Sequence, residues 1–241
     1  MRETRHRLLI ALGVLVCLVS LYLCSPYFPF GGSVISRGPA TERAIALTFD
    51  DGPNALWTPR ILEILAKYDA KGTFFVVGAN VNRHSEVAKL VVEYGDQIAN
   101  HSESHSNFLP YFTPQQIVDD YKSAEQAIRN ATGLSPRFYR APHGKVTPWM
   151  RHALHSQGLT LVGWDYSPAD WVNPGVEELT RRVVNAARPG SIILLHDGLD
   201  LNENPDKSQL IQALPAIIEQ LQAQGYRLVT VAQLLGEEPY Y

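Results

Sequence analysis

The chain has 241 residues, of which 45% are hydrophobic and 19% are charged, and its formal net charge is −3 at pH 7. Apolar content at this level excludes a disordered or low-complexity protein, and the nearly balanced charge argues against nucleic acid as a partner. The only two cysteines are Cys17 and Cys24, which excludes a disulfide scaffold or a cysteine zinc site in the rest of the chain.

A long apolar segment stands near the N-terminus. Residues 8–24 carry no charge, and three arginines lie within the seven residues before them. The segment is at the short end of the ~17–25 residues that span a bilayer, and the basic flank keeps the N-terminus in the cytoplasm. A cleaved signal peptide is the alternative, but the segment exceeds the usual apolar region of ~7–15 residues and lacks an Ala-x-Ala-like cleavage site. We therefore predict a cytoplasmic N-terminus over 1–7, a transmembrane signal-anchor over 8–24 and a linker over 25–43.

From residue 44 to residue 241, short β-type apolar runs alternate with segments of helical spacing. The predicted strands are 44–49, 73–77, 97–100, 138–140, 160–164, 191–196 and 227–231. The predicted helices are 57–68, 85–94, 114–132, 147–156, 176–187 and 209–224. This alternation predicts an α/β domain with a parallel sheet. Either a closed barrel or a doubly wound open sheet fits it, and in both the chemistry gathers at the carboxyl ends of the strands.

Two adjacent carboxylates, Asp50 and Asp51, follow the first predicted strand in the run Thr-Phe-Asp-Asp-Gly-Pro. Successive side chains at a strand end point in different directions, so one can bind a cation while the other stays free as a base. A simple turn is the alternative, because Asp-Gly and Gly-Pro are common turn dipeptides.

Two histidines, His101 and His105, follow the third predicted strand. A spacing of four places them on one face if the segment is helical, as in sites that grip a divalent metal. A pair of surface histidines is the alternative. Together with Asp51 they make an Asp-His-His set that suits Zn²⁺ with an open position for water. Co²⁺ or a similar divalent cation suits the same ligands.

The later strands also end in polar residues. Arg140 can hold a carboxylate bidentately, and Pro142 and Gly144, which follow it, fix an unusual backbone that can aim an N–H group into a site. An ordinary surface arginine in a loop is the alternative. His196 follows an apolar strand and alone would be read as a core histidine. Its position at a strand end, with Asp170 available as a partner, favours acid–base chemistry.

Taken in order, these motifs resemble the polysaccharide deacetylase family, which is carbohydrate esterase family 4 with its NodB-homology domain. The resemblance covers roughly residues 44–235 and rests on five motifs in series: Thr-Phe-Asp-Asp-Gly-Pro, His-Ser-x-Ser-His, Arg-x-Pro-x-Gly, Asp-Trp and Leu-x-His. It implies a distorted (β/α)7 barrel and a metal-dependent hydrolase of N-acetyl groups on amino sugars.

The resemblance also implies a role for each residue that matches a motif. Asp51, His101 and His105 match the metal ligands. Asp50 matches the catalytic base, with Arg140 as its tether, and His196 matches the general acid, with Asp170 as its orienting carboxylate. Trp171 and Leu194 match the walls of a small pocket for the acetyl methyl, and the backbone N–H of His143 is expected to help bind the oxyanion.

Two positions depart from the family pattern. Ser167 stands where many members have the first aspartate of Asp-x-x-Asp-Trp, so the local loop is expected to differ. His143 replaces an aromatic residue often found there, which makes that wall of the site more polar.

The substrate expectation combines the anchor with the motifs. A membrane-tethered domain outside the cell reaches the cell wall, so we expect an N-acetylated glycan as partner, namely peptidoglycan with its N-acetylglucosamine or N-acetylmuramic acid. Chitooligosaccharides and O-acetyl esters of xylan remain alternatives, as does a non-catalytic glycan-binding protein. Hydrolysis of small cyclic amides is disfavoured by the export signal. Residues 107–112 and 202–208 are expected to grip the glycan.

Overall fold

The computed structural model describes Ile10, residues 12–16 and residues 34–241. The predicted cytoplasmic residues 1–7 and most of the predicted span 8–24 lie outside this part, and the few residues of the span that it includes are helical. Across the described residues, no helix combines the length and the apolar character that a bilayer crossing needs.

The described residues contain one sheet of seven parallel strands. The strands are β1 (Ala44–Asp50), β2 (Gly72–Val76), β3 (Gln97–Asn100), β4 (Phe138–Tyr139), β5 (Thr160–Leu161), β6 (Ile192–His196) and β7 (Arg227–Leu228). Their order is β5-β4-β3-β2-β1-β6, and β7 pairs with the start of β1. Beyond β5 the chain reaches β6, where Tyr166 forms a parallel bridge with Ile193. The parallel α/β prediction is confirmed, and this arrangement is consistent with a (β/α)7 fold.

Helices connect the strands. In the described part they are α1 (Trp57–Lys67), α2 (Gly78–Arg83), α3 (Ser85–Glu93), α4 (Pro114–Thr132), α5 (Pro148–His155), α6 (Val176–Ala186), α7 (Ser208–Ala223) and α8 (Val231–Leu235). The sequence patterns missed α2 and α8. At α8 the expectation of a strand over 227–231 is wrong beyond Leu228, because Thr230 and Gln233 form a reciprocal capping box that starts a helix at Val231.

Strand β1 lies between β2 and β6 and is buried along its whole length. Ile45, Leu47 and Phe49 belong to one apolar cluster with residues of α1 and α7, whereas Ala46 belongs to another cluster with Phe75. Since side chains alternate across a strand, Thr48 and Asp50 lie on the same face as Ala46.

The strand register brings the polar strand ends to one edge of the sheet. Asp50 pairs with His196 across β1 and β6, and Asn100, which precedes His101, pairs with Tyr139, which precedes Arg140. Because all the strands are parallel, their carboxyl ends meet at this edge. The residues that the motifs singled out therefore converge there.

Candidate active site

A cleft of about 380 Å³ opens at the carboxyl edge of the sheet. Eight residues predicted from the sequence line it: Asp50, Asp51, His101, His105, His143, Trp171, Leu194 and His196. The other two, Arg140 and Asp170, are not in its lining and are buried, with 1% and 3% of their surface exposed.

Arg140 fixes Asp50 from beneath the cleft. Its Nη1 atom lies 2.6 Å from Oδ1 of Asp50 and 2.8 Å from Oγ1 of Thr48. The expected bidentate grip is wrong, because Nη2 and Nε of Arg140 instead donate to the backbone carbonyls of Gly163 and Val162. Burial lowers the pKa of Arg140, and the charge of Asp50 opposes that shift. This buried ion pair thus has its remaining donors satisfied, as such a pair requires.

Asp51, His101 and His105 converge in the cleft. Oδ1 of Asp51 lies 3.5 Å from Nε2 of His101 and 3.0 Å from Nε2 of His105. His101 and His105 do not lie on a helix, although their spacing of four is that of one helix face. The chain instead turns through positive φ values at Ser102 (71°) and His105 (48°), and Ser102 Oγ accepts the backbone N–H of His105. A loop, not a helix, brings the imidazoles together.

The other ring nitrogens determine what the Nε2 atoms can do. Nδ1 of His101 lies 2.8 Å from the carbonyl oxygen of Arg140. A carbonyl oxygen only accepts, so Nδ1 must carry the proton and Nε2 presents its lone pair to the cleft. Nδ1 of His105 faces the carboxylate oxygen Oδ1 of Asp200 at 2.7 Å. Metal-binding histidines usually direct their second nitrogen at such oxygens.

The three residues fit a divalent cation. Oδ1 of Asp51 is buried and makes no hydrogen bond to the described residues, although two imidazoles face it. Atoms that bind one tetrahedral zinc ion at about 2.0–2.2 Å lie about 3.3–3.6 Å apart; the separation of 3.5 Å lies within this range and that of 3.0 Å lies about 0.3 Å below it. Burial alone would raise the pKa of Asp51, but His101 and His105 outweigh it and hold that pKa well below its ordinary value. The carboxylate is therefore ready to bind a cation.

His196 and Asp170 form a second polar pair at the end of β6. Nδ1 of His196 lies 2.8 Å from Oδ1 of Asp170, whose side chain is almost fully buried. Burial by itself would lower the pKa of His196, but Asp170 outweighs it and the pKa is raised above its ordinary value. An imidazole that keeps its proton at higher pH suits a proton donor.

Apolar and aromatic side chains complete the cleft. The Trp171 ring stands edge-on to His196 with the ring centroids 5.2 Å apart, and Leu194 is buried nearby on β6. The His143 ring lies 4.6 Å from that of His105. Its backbone has a φ of 55°, and burial, followed by the charge of His105, lowers its pKa.

Three lining residues were missed as site residues: Trp164, Leu199 and Asp200. Trp164 ends the fifth predicted strand, and this position at a strand end is the signal that could have identified it. Leu199 and Asp200 lie in the loop after β6, where no motif marks them.

Ser167, the departure from the family pattern, lies outside the lining, and its Oγ accepts the backbone N–H of Ala169.

The sequence and the fold are similar to those of known glycan deacetylases. A family model described as polysaccharide deacetylase matches residues 37–162. A peptidoglycan-N-acetylglucosamine deacetylase of Bacillus cereus is 37% identical over 209 residues, which cover 85% of this chain and 93% of the relative. A chitooligosaccharide deacetylase of a Bradyrhizobium species is 36% identical over 199 residues, with 80% and 90% covered. The crystal structure of a peptidoglycan N-acetylglucosamine deacetylase matches with a TM-score of 0.80 at 29% identity, covering 86% of this chain and 95% of that one.

Proposed function

The chain belongs to the polysaccharide deacetylase family and is a hydrolase of amide bonds in glycans; from that premise we propose that it removes N-acetyl groups from the amino sugars of peptidoglycan with the help of a divalent cation. Acetate and a free amino sugar are the products. The observation that carries the proposal is the placement of Asp50, the Asp51–His101–His105 set and His196 around one cleft.

Asp51, His101 and His105 would hold the cation, and their ligand set favours Zn²⁺ with Co²⁺ as a substitute. When bound, such a cation acidifies water towards a pKa of ~7 and stabilises negative charge on a carbonyl oxygen. Side chains and backbone groups of this chain would transfer the protons and position the substrate.

Asp50 is placed to accept the proton of the attacking water. Arg140 holds its Oδ1 atom, which leaves Oδ2, 3.6 Å from Nε2 of His101, on the side of the cation ligands. A base fixed in one orientation does not have to be ordered during the reaction.

His196 is placed to donate a proton to the amine that leaves. Because Asp170 contacts its Nδ1 atom, Nε2 is the nitrogen that can serve the substrate. The backbone N–H of His143 is the proposed donor to the oxyanion, and Trp171 and Leu194 are the proposed walls for the acetyl methyl group.

The choice of peptidoglycan is supported by the Bacillus cereus relative and by the sequence of the N-terminal segment. We propose that residues 8–24 anchor the chain in the cytoplasmic membrane with the catalytic domain outside, where the cell wall is. Chitooligosaccharides are the second candidate substrate, since the Bradyrhizobium relative acts on them by name.

The test compares substrates and variants of the full-length chain. We expect acetate release from peptidoglycan after Zn²⁺ or Co²⁺ loading, and none after chelation. Acetate release from chitin oligomers alone would assign the second candidate, and release from acetylated xylan alone would make the protein an O-acetyl esterase.

Variants separate the proposed roles. Asp51→Asn, His101→Ala and His105→Ala should lose metal and activity together. Asp50→Asn and His196→Ala should keep the metal while kcat falls by roughly 10²–10⁴-fold. Full activity in Asp50→Asn would show that Asp50 is not the base.

A further inference from the structure

The loop between β6 and α7, residues 197–207, is held in place by side chains from other elements. Four of its backbone carbonyls accept hydrogen bonds from residues of the β1–α1 loop, α1 and α2. The pairs, donor first, are Asn54–Glu203, Trp57–Pro205, Asn80–Asp200 and Arg83–Leu201, at 2.7–3.4 Å. Because these bonds fix the backbone, the position of Asp200 within the loop is also fixed.

Asp200 contacts two of the three proposed metal ligands. Its backbone N–H donates to Oδ2 of Asp51 at 3.0 Å, and its Oδ1 atom lies 2.7 Å from Nδ1 of His105. A third connection runs through Asn80, whose Nδ2 donates both to the carbonyl of Asp200 and to that of Asp51. Asp200 is thereby coupled to the carboxylate and to one imidazole of the same site.

Asp200 contacts His105 on Nδ1, the ring nitrogen that faces away from the proposed cation site. Nδ1 of His105 is buried and makes no hydrogen bond to the described residues, and Oδ1 of Asp200, 2.7 Å away, is the charged atom that faces it. The side chain of Asp200 is 58% exposed, so only this contact and the loop backbone hold it against His105.

A second cation is the competing explanation, since His105, His143 and Asp200 also bring three possible ligand atoms close together. The distance decides against it. Two atoms that share a cation at about 2.0–2.2 Å in tetrahedral geometry lie about 3.3–3.6 Å apart, whereas Nδ1 of His105 and Oδ1 of Asp200 are 2.7 Å apart. That separation suits a direct contact between the imidazole nitrogen and the carboxylate.

We propose that Asp200 is a positioning residue of the metal centre. Its carboxylate keeps the proton of His105 on Nδ1 and fixes the ring so that Nε2 faces Asp51, while its backbone N–H holds the second oxygen of Asp51. This inference rests on the proposed function, because it assigns a task to Asp200 only if the site binds a cation. Contacts of this kind typically contribute 10–100-fold to metal affinity.

The backbone of Asp200 determines which variants are informative. Its φ is 48°, a value that Asn and Gly tolerate and that strains most other residues. Asp200→Gly therefore removes the side chain without adding backbone strain, and Asp200→Asn removes only the charge. Asp206→Asn is a matched control in the same loop, since Asp206 caps the backbone N–H of Ser208 and asparagine caps equally well.

The experiment measures Zn²⁺ and Co²⁺ affinity of the full-length chain by competition with a chromophoric chelator, together with the visible absorption spectrum of the Co²⁺ form. We expect Asp200→Gly to bind both ions 10–100-fold more weakly and to change the Co²⁺ spectrum, Asp200→Asn to lie between it and wild type, and Asp206→Asn to match wild type.

Two results would count against the inference. Wild-type affinity and an unchanged Co²⁺ spectrum in Asp200→Gly would overturn the role of Asp200 and leave the proposed function standing. Failure of the wild-type chain to bind either ion would overturn both together.

Discussion

Nδ1 of His196 lies 2.8 Å from Oδ1 of Asp170, and the backbone N–H of the same histidine donates to Oδ2 at 3.1 Å. One buried carboxylate thus fixes both the ring and the main chain of the proposed acid. Lys207, also buried, places its Nζ atom 4.0 Å from Oδ2 of Asp170. The protonation of His196 therefore depends on a carboxylate that lies outside the cleft lining.

The first prediction concerns the pH profile of Asp170→Asn. A proton donor works while it is protonated, so activity falls as pH rises through its pKa. Asp170 raises the pKa of His196 against the lowering effect of burial. Without that charge the burial effect remains, so the pKa falls and the alkaline limb of kcat/KM should move to lower pH.

The measurement is the pH dependence of kcat/KM for acetate release at saturating metal. Asp119→Asn, which removes an exposed carboxylate on α4, is the control and should leave both limbs in place. An alkaline limb that stays at the wild-type pH in Asp170→Asn would mean that another group sets it.

The second prediction concerns the stability of the buried pair of Arg140 and Asp50. Arg140→Met leaves a buried carboxylate without its cation, and breaking such pairs costs about 3–5 kcal/mol. Asp50 also loses the contact that orients it, so kcat should fall by about 10²-fold. Urea unfolding gives the free energy, and acetate release gives kcat.

Lys89→Met is the matched control, because Lys89 pairs with Glu93 on the surface of α3. Exposed pairs of this kind contribute less than about 1 kcal/mol. Arg140→Lys keeps the positive charge and replaces Arg140→Met in the measurement if Arg140→Met does not fold. Equal loss of stability in Arg140→Met and Lys89→Met would refute the buried-pair argument.

The overall fold was readable from the sequence because its signal is local. A strand buried on both faces, such as β1, shows as a continuous apolar run, and Asp50 and Asp51 stand where that run stops. The ends of the predicted strands therefore identified most of the residues that line the cleft.

Other features depend on distant parts of the chain and have no local signal. Ser102 and His105 adopt positive φ values without being glycine, so the spacing of the histidines suggested a helix that does not form. Asp200 reaches His105 only because side chains of the β1–α1 loop, α1 and α2 hold its loop. The donors of Arg140 turn to carbonyls of the segment after β5, a contact that no motif encodes.

The third prediction concerns two exposed aromatic residues in the expected glycan-gripping segment 107–112. Phe108 and Tyr111 are 70% and 58% exposed. The turn between them is fixed by buried Leu109 and by a hydrogen bond from Thr147 Oγ1 to the carbonyl of Pro110. Two large aromatics exposed together offer an apolar surface, and their faces suit the C–H groups of sugar rings.

The double variant Phe108→Ala/Tyr111→Ala should lower kcat/KM on polymeric peptidoglycan by about tenfold, the equivalent of one aromatic contact of roughly 1.4 kcal/mol. Hydrolysis of a small aryl acetate, which fills only the cleft, should be unchanged. Tyr241→Ala is the control. It removes an exposed aromatic residue that lies near the amino end of β4, whereas the cleft lies at the carboxyl ends of the strands. Equal losses on both substrates would mean that the turn supports the cleft and does not grip the glycan.

The fourth prediction concerns Gly52, which follows the proposed ligand Asp51. A Cβ atom at this position would lie 2.1 Å from Oδ2 of Asp197. That oxygen is buried and accepts a hydrogen bond from Oγ1 of Thr58 at 2.5 Å, which holds the Asp197 side chain in place. We therefore expect Gly52→Ala to displace the backbone that carries Asp51, at a cost of about 1–3 kcal/mol for overpacking.

Metal affinity distinguishes this displacement from ordinary destabilisation. Gly133→Ala is the control, because its Cβ would meet no atom within 4 Å while its φ of 77° adds strain, which costs about 1–2 kcal/mol. Both variants should unfold at lower urea concentration, but only Gly52→Ala should lose Zn²⁺ affinity, since only there does the strain reach a ligand. Wild-type Zn²⁺ affinity in Gly52→Ala would show that the Asp51 loop adapts to the added methyl group, and the tight packing of Gly52 against Asp197 would then have no bearing on the metal site.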